Sequence, residues 1–521
     1  MKKWAKQMVG ISLAGVMAAS LAACGGNATK EQGSQGASSS PANAASPSAA
    51  PSSGPKPELR SLGIWMNADY NTYTVAKVLE ERTGYKVKYD MLPQENPNEK
   101  LNLLIASSEP YDTITTGGAS MYKALYSDYA KRGALVDLGP LIDKYGPNIK
   151  AAISQQSLDA VKVDGKIYAI PTQTLSNVAS SLMIRQDWLD KLGLKAPTTT
   201  DELVTVLKAF KEKDPGGNKE QNIPFTIAGN APIVVNLAGA FGITNSWNDV
   251  NGKLLPRAYD TGYKDYILYM NDLFKQGLLD KEFAVNQGTT VNEKFTSGKA
   301  GVIAVDWSNV PSLTDALIKN NPNAKMVYIP ALKGPQGKLG LSQPTGFDRL
   351  TFIPKSAKHP EDAIKWIDAK LEKDTFRLMT IGEENKHYTF KDGAYAPILP
   401  IFTDERNFAS SYLTGSDEKN YPLYWQARVR KDARLFDAYA FLNIKEPANT
   451  KVSDVIGLSP YMEQYSKNSD SLNTMLNDQT VKFIVGVDPI ANLDAFITKY
   501  KSAGGEASYN EVNDWYAAQK K

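Results

Sequence analysis

The sequence predicts an α/β fold in which a largely parallel sheet is covered by helices. Two observations carry that expectation. From residue 58 onward, short stretches of period-two alternation trade places with helical spacing, and the connections between them are short. Of the 521 residues, 42% are hydrophobic and 22% charged. That is ordinary for a soluble globular chain and wrong for a disordered, collagenous or polytopic membrane protein. At roughly 100–200 residues per domain, the length allows about two to four domain-sized units.

The elements justify themselves in order. Residues 59–65 (LRSLGIW) are strand-like, and 71–83 have helical spacing that stops at Gly84. Residues 85–89 (YKVKY) alternate as a second strand, 99–105 form a helix, and 111–115 (YDTIT) form a third strand ending at Gly117 and Gly118. Ligands of open α/β sheets bind at the carboxyl ends of strands. That rule puts Trp65, Met66, Asn67, Thr115, Thr116, Gly117 and Gly118 on a ligand-facing edge. Further on, Asp164 and Gly165 read as a hairpin turn between two short strands. Thr199 or Thr200 can cap a helix running to Lys213, with Asp201 and Glu202 in its first turn.

Charge and composition exclude several functions. The formal charge is +3, and Lys2, Lys3 and Lys6 account for it, leaving 56 basic against 56 acidic residues. No electrostatic case remains for nucleic acid or an anionic membrane surface as partner. Two histidines in the whole chain make a histidine-based metal site or a Ser-His-Asp site a poor reading, and no cofactor or metal is expected. One cysteine excludes an intrachain disulfide.

That cysteine is placed for a different chemistry. Lys2, Lys3 and Lys6 precede an apolar stretch at 8–23, too short to span a bilayer and right for a secretory signal. The stretch ends Leu21, Ala22, Ala23, Cys24, Gly25, which resembles the lipobox of bacterial lipoprotein precursors. The resemblance implies removal of residues 1–23 and lipidation of Cys24, hence a membrane anchor on the outer side of the cell. In residues 25–57, 25 of 33 are Ala, Ser, Gly or Pro, with no aromatic residue, Val, Leu or Ile. Such a segment reads as a disordered tether with an r.m.s. reach of roughly 30 Å.

Four motifs in the body carry a second resemblance. They are 164–171 (DGKIYAIP), 187–203 (DWLDKLGLKAPTTTDEL), 295–307 (FTSGKAGVIAVDW) and 352–366 (FIPKSAKHPEDAIKW). In this order they resemble extracellular solute-binding proteins of ABC importers, of the large carbohydrate-binding family, over roughly 58–500. The resemblance implies a periplasmic-binding-protein-like fold with two α/β lobes, a hinge and an interlobe ligand cleft. Lobe one would be 58–170 plus 308–350, lobe two 171–307 plus 351–500, and 501–521 a C-terminal extension. Hinge crossings would lie near Pro171, Trp307 and Phe347. Closure would be a hinge motion around the ligand.

A sugar offers apolar C–H faces and a belt of hydroxyls, which suit aromatic planes and planar polar groups. Trp307, after Asp306 at a strand end, matches the family's stacking tryptophan. Trp65 with Asn67, Thr116 with Gly117, Gln173, Trp247 and Trp425 complete the expected ligand-binding set. Asp348 and Arg349 read as a lobe-bracing ion pair. The loop at Asp214 resembles a calcium loop that has lost acids at Gly216 and Asn222, so it reads as a structural turn. The adjacent acids Glu383–Glu384 and Asp404–Glu405 read as solvated, and His359 and His387 as surface or cleft-rim residues.

The expected function is therefore a lipid-anchored, non-enzymatic subunit that captures an oligosaccharide and hands it to separate permease chains. No G-x-x-x-x-G-K-[ST] loop is present, so the ATPase lies elsewhere. A polysaccharide-cleaving enzyme and a sensory subunit for a membrane kinase are the competing readings. The balanced body charge offers no evidence for a uronate specialist, although a local Arg or Lys pair in the cleft would select one, and peptides and polyamines stay open as ligands.

Overall fold

A computed structural model describes residues 55–117 and 119–520. The signal segment, Cys24, Gly118 and all but the last three residues of the tether lie outside the described residues. The described chain forms one compact unit from Pro55 onward.

Nine strands make its two main sheets: β1 (Leu59–Gly63), β2 (Val87–Met91), β3 (Thr113–Gly117), β4 (Ala169–Gln173), β5 (Ser180–Arg185), β6 (Ile223–Phe225), β7 (Ala300–Asp306), β8 (Met326–Tyr328) and β9 (Phe347–Phe352). The first sheet has the order β2-β1-β3-β9-β4, and the second β8-β5-β7-β6. In the first, β1 pairs parallel with β2 and β3, whereas β9 is antiparallel to both β3 and β4. In the second, β7 runs parallel to β6 and antiparallel to β5.

The sheets are mixed rather than largely parallel as expected, four of the seven pairings being antiparallel, and each is covered by helices and buried on both faces. Leu59 and Ile170 face one core of lobe one with Val75, Leu79 and Ile364, and Leu62 and Ile114 face the other with Tyr126 and Tyr129. Leu182, Ile184 and Val302 face one core of lobe two, and Met183, Ile303 and Val305 the other. Local signals acted as read. Gly84 takes φ 68° and ends the helix Thr74–Thr83. Asp164 and Gly165 both take positive φ in the hairpin turn. Thr199 accepts the Glu202 N–H at 3.1 Å and caps Thr200–Lys213.

The division into lobes departs from the expected boundaries. The helix Val310–Asn320 buries Val310, Leu313 and Leu317 against Ile303 and Val305, and β8 pairs with β5, so 308–343 stays in lobe two. The helix Pro360–Leu371 buries Ile364, Trp366 and Ile367 against Val75 and Leu79, and helix Tyr421–Val429 joins the same core, so 353–429 belongs to lobe one. In both cases the chain folds back onto the sheet it has just left, because that sheet still has an uncovered apolar face. Residues 501–520 are not an extension either. Val512 is fully buried, and the Asn513 side chain bonds both the N–H and the carbonyl of Leu254 at 2.9 Å.

The chain thus crosses between lobes at 174–179, 344–346 and 430–432, not near Trp307. The strands Leu341–Gln343 and Lys451–Ser453 pair at this hinge. Gly346 takes φ +99°, and a Cβ there would lie 2.6 Å from the Gly457 carbonyl oxygen, so two backbones touch where only glycine fits.

Candidate functional site

The carboxyl ends of β1 and β3 and the end of β7 form the rims of the two lobes. On lobe one, Trp65 is 42% exposed and Asn67 is exposed beside it, immediately beyond β1. Gly117 is half-buried at the end of β3. Thr116 does not fit the expected role. Its side chain is fully buried, and its hydroxyl lies 3.4 Å from the Leu350 carbonyl, so it serves the sheet. Gln173 ends β4, half-buried, with its N–H donated to Ser416 Oγ at 3.1 Å.

On lobe two, the Asp306 carboxylate accepts the N–H and hydroxyl of Ser308 at 2.8 and 2.6 Å and so caps a short turn. That turn presents Trp307, half-buried, with its ring edge-to-face against Tyr439 at 5.4 Å. The Tyr439 hydroxyl donates to Asn177 in the first crossing at 3.2 Å. Trp307 therefore stands at the rim beside the hinge.

Two other tryptophans are placed differently. Trp247 is 7% exposed and packs with Leu254, Ile456, Met462 and Val512, its ring against Tyr465 at 5.9 Å. It is a core residue that anchors the C-terminal helices, which overturns its expected cleft role. Trp425 is half-buried at the margin of the lobe-one core, next to Tyr421, with the Arg428 guanidinium 5.2 Å from its ring centre.

The hinge itself holds a cavity of about 490 Å³ that the sequence did not reveal. Lobe one contributes Lys123 and Phe347, the first crossing Thr174, the end of the hinge strand Lys451–Ser453 the adjoining Asp454, and lobe two Tyr465 and Asp470. Lys123 donates to the Gly457 and Ser459 carbonyls at 3.1 and 2.6 Å, and burial pushes its ammonium down to about 8 against the opposing charge of Asp454. Burial raises the Asp454 carboxyl. Only the pattern of crossings, not any local motif, brings these residues together.

The remaining polar candidates are structural. Asp214 accepts the N–H groups of Asn218 and Lys219 at 2.9 and 2.6 Å and closes its own turn. Among the described residues no cluster of three or more His, Cys, Asp or Glu could hold a metal. Glu405 is held by His387 at 2.8 Å and Lys386 at 3.3 Å. His387, read as surface or rim, has a fully buried side chain, because the loop after Gly382 wraps it into lobe one. Asp348 and Arg349, read as a lobe-bracing pair, bond each other at 2.9 Å as neighbours on β9, and Arg349 also donates to the Ser410 carbonyl, so the pair stays within lobe one and braces nothing across the hinge.

Two α/β lobes joined by three crossings are the architecture of a solute-binding protein. The chain matches the profile described as "Bacterial extracellular solute-binding protein" over residues 67–374, and it belongs to that family. Membership makes it a binding component of a transporter, without an enzymatic step of its own. It is 27% identical to Lipoprotein LipO of Bacillus subtilis over 85% of this chain and 89% of that one. It is 26% identical to the polygalacturonan/rhamnogalacturonan-binding protein YtcQ of the same organism, over 85% and 88%. The fructooligosaccharide ABC transporter substrate-binding protein FusA of Streptococcus pneumoniae is 32% identical over 58% of each chain. The structure of FusA in complex with kestose matches with TM-score 0.66 and 23% identity over 89% of this chain and 99% of that one, which fixes the fold. Among the described residues no helix is long and apolar enough to cross a membrane.

Proposed function

We propose that the protein is the lipid-anchored binding subunit of an ABC importer and that it captures an oligosaccharide between its lobes for delivery to separate permease chains. The observation that carries the reading is the pair Trp65 and Trp307. Each stands on the carboxyl end of a strand, one per lobe, with ring surface left uncovered. Flat apolar surfaces on both sides of a polar cleft suit a ligand with apolar faces and a hydroxyl rim. Asn67, Gln173 and the polar hinge cavity supply hydrogen-bonding groups. The carbohydrate ligands named for YtcQ and FusA support the same class, and the lipoprotein relative supports the anchor.

A thermal-shift screen of a glycan and small-solute library tests the binding half. A true ligand at 100 times its Kd stabilises by roughly 2.7 kcal/mol. Chromatography of the hit after overnight incubation should return it uncut, and cleavage products would move the protein to the enzymes. For the anchor, Cys24→Ser should release the protein into the medium or leave an unprocessed precursor. A processed, membrane-bound Cys24→Ser protein would sink the lipoprotein reading.

A further inference from the structure

The rim of lobe one carries a row of cations that the fold leaves without carboxylates. Arg428 donates to the carbonyls of Arg406 and Asn407 at 3.0 and 2.6 Å. Lys431 donates to Asn407 Oδ1 at 2.8 Å. The Arg430 guanidinium lies 3.8 Å from the Phe436 ring centre, and its Nε is buried with no acceptor among the described residues. None of the three forms an ion pair with a described acid. Burial pushes the Arg428 guanidinium and the Lys431 ammonium below their ordinary values. Arg349 adds to the effect on Arg428, and Arg428 to that on Lys431.

The neighbouring acids are already engaged. Asp348 holds Arg349 at 2.9 Å, and Asp432 and Asp315 hold Arg434. Glu405 is tied to His387 and Lys386, Asp306 to Ser308, and Asp69 to Asn71 and Thr72. A half-buried group of like charges costs stability unless something negative meets it.

Its position matters as much as its charge. Arg349 pairs in register with Gly117 at the end of β3. Its charge reaches Tyr70, whose hydroxyl lies 3.0 Å from the Ile64 carbonyl, one residue before Trp65. At the other end, Arg430 opposes the burial-driven rise of the Tyr439 hydroxyl, and Tyr439 packs on Trp307. The cations therefore follow the third crossing between the two rim tryptophans.

We infer that the ligand is an acidic oligosaccharide, whose uronate carboxylates are held by Arg428, Arg430 and Lys431 between Trp65 and Trp307. This rests on the carbohydrate reading above and narrows it. Guanidinium forks match carboxylates bidentately, and Lys431 adds a point charge. The overall balance of 56 basic and 56 acidic residues beyond the signal segment hides this, because it averages over the whole surface.

The test is calorimetry on the purified full chain with uronate trimers (galacturonate, glucuronate and alginate-type), their methyl esters, and kestose as neutral probe. At least one uronate should bind, its methyl ester should bind roughly 10- to 100-fold more weakly, and raising salt from about 0.05 to about 0.5 M should weaken only the acid. Lys431→Gln and Arg430→Gln should each weaken the acid about 10-fold or more and leave the ester unchanged, which a folding defect would not do. Equal binding of acid and ester, or binding of kestose alone, overturns the inference and leaves the carbohydrate reading standing. Failure of every uronate probe to bind overturns the inference, and a non-sugar solute as the sole hit of the thermal-shift screen overturns both.

Discussion

The interior of lobe two and the cleft rim treat the same side-chain types in opposite ways. Trp247 is enclosed by Leu254, Met462, Val512 and Tyr465, whereas Trp307 has Tyr439 as its one ring neighbour and keeps an open face. Lys294 donates to Asp280, Glu282 and Asn286 at 2.8, 2.9 and 3.1 Å, whereas Lys431 has only the amide oxygen of Asn407. A buried ammonium left without an anion is destabilising. The chain solves that problem inside lobe two and leaves it unsolved at the rim. Groups left incomplete beside a cleft are completed by what enters it.

The largest expected effect tests the closed side. Trp247→Ala should lower the unfolding free energy of the ligand-free protein by about 3–5 kcal/mol, the range for truncating a core tryptophan. Affinity measured well below the melting point should stay native. Native stability with lost affinity would return Trp247 to the site and break the comparison.

Trp307→Ala comes next and should do the reverse. Truncating an aromatic anchor in a binding site commonly costs ~2–4 kcal/mol, a loss of roughly 30- to 1000-fold in affinity. Ligand-free stability should fall less than for Trp247, because Trp307 is only partly buried at the margin of its core. Trp307→Phe should recover part of the affinity, since a smaller ring still covers a sugar face. A large loss of stability with native affinity would make Trp307 a core residue.

Lys294→Met should cost about 2 kcal/mol of stability, by leaving Asp280 buried without its cation. That is below the cost for a fully buried pair because the Lys294 side chain keeps 14% exposure. Lys431→Gln should leave ligand-free stability unchanged or raise it by up to about 0.5 kcal/mol, since it removes a half-buried charge that no carboxylate meets and keeps an amide donor near Asn407. Equal losses in the two variants, read by denaturant melts, would erase the distinction.

The sequence made the local architecture legible and the long-range assembly much less so. The first three strands, the Asp164–Gly165 hairpin and the Thr199 cap follow from residues within a few positions of each other. The placing of Trp65 and Trp307 just beyond β1 and β7 was legible because a strand end is a local event. The lobe boundaries were misplaced because helical spacing says that Val310–Asn320 and Pro360–Leu371 bury a face, not against which sheet. Trp247 and His387 were misread for the same reason, since their partners lie in distant segments, Tyr465 and Val512 for one and Glu405 for the other. The row Arg428, Arg430 and Lys431 is visible as three basic residues in four, but only the fold shows that no acid meets them.

The smallest expected effect sharpens the comparison through pH. His387 is the lobe-one counterpart of Lys294: its Nδ1 accepts the Glu383 N–H at 2.9 Å, so its Nε2 carries the proton and donates to Glu405 at 2.8 Å. Both ring nitrogens are satisfied in the neutral form. Burial lowers the imidazole from its ordinary value, and the Glu405 carboxylate opposes this only in part. A depressed folded value means that the unfolded chain takes up the proton first. Stability is therefore intact above the ordinary histidine range near 6.5 and declines as pH falls through the folded value. In lobe two, burial would raise the Asp280 carboxyl, but hydrogen bonds led by Lys294 hold it below the usual range. Its contribution is present above about pH 4 and is lost only as pH falls further. Denaturant melts should show two separate declines, an upper one beginning near pH 6.5 and a lower one beginning near pH 4. His387→Gln should abolish the upper decline and keep the lower one. Lys294→Met should shrink the lower one and keep the upper. A single decline that neither substitution changes would mean that these groups titrate alike in the folded and unfolded chains, and that neither interior is closed in the sense argued here.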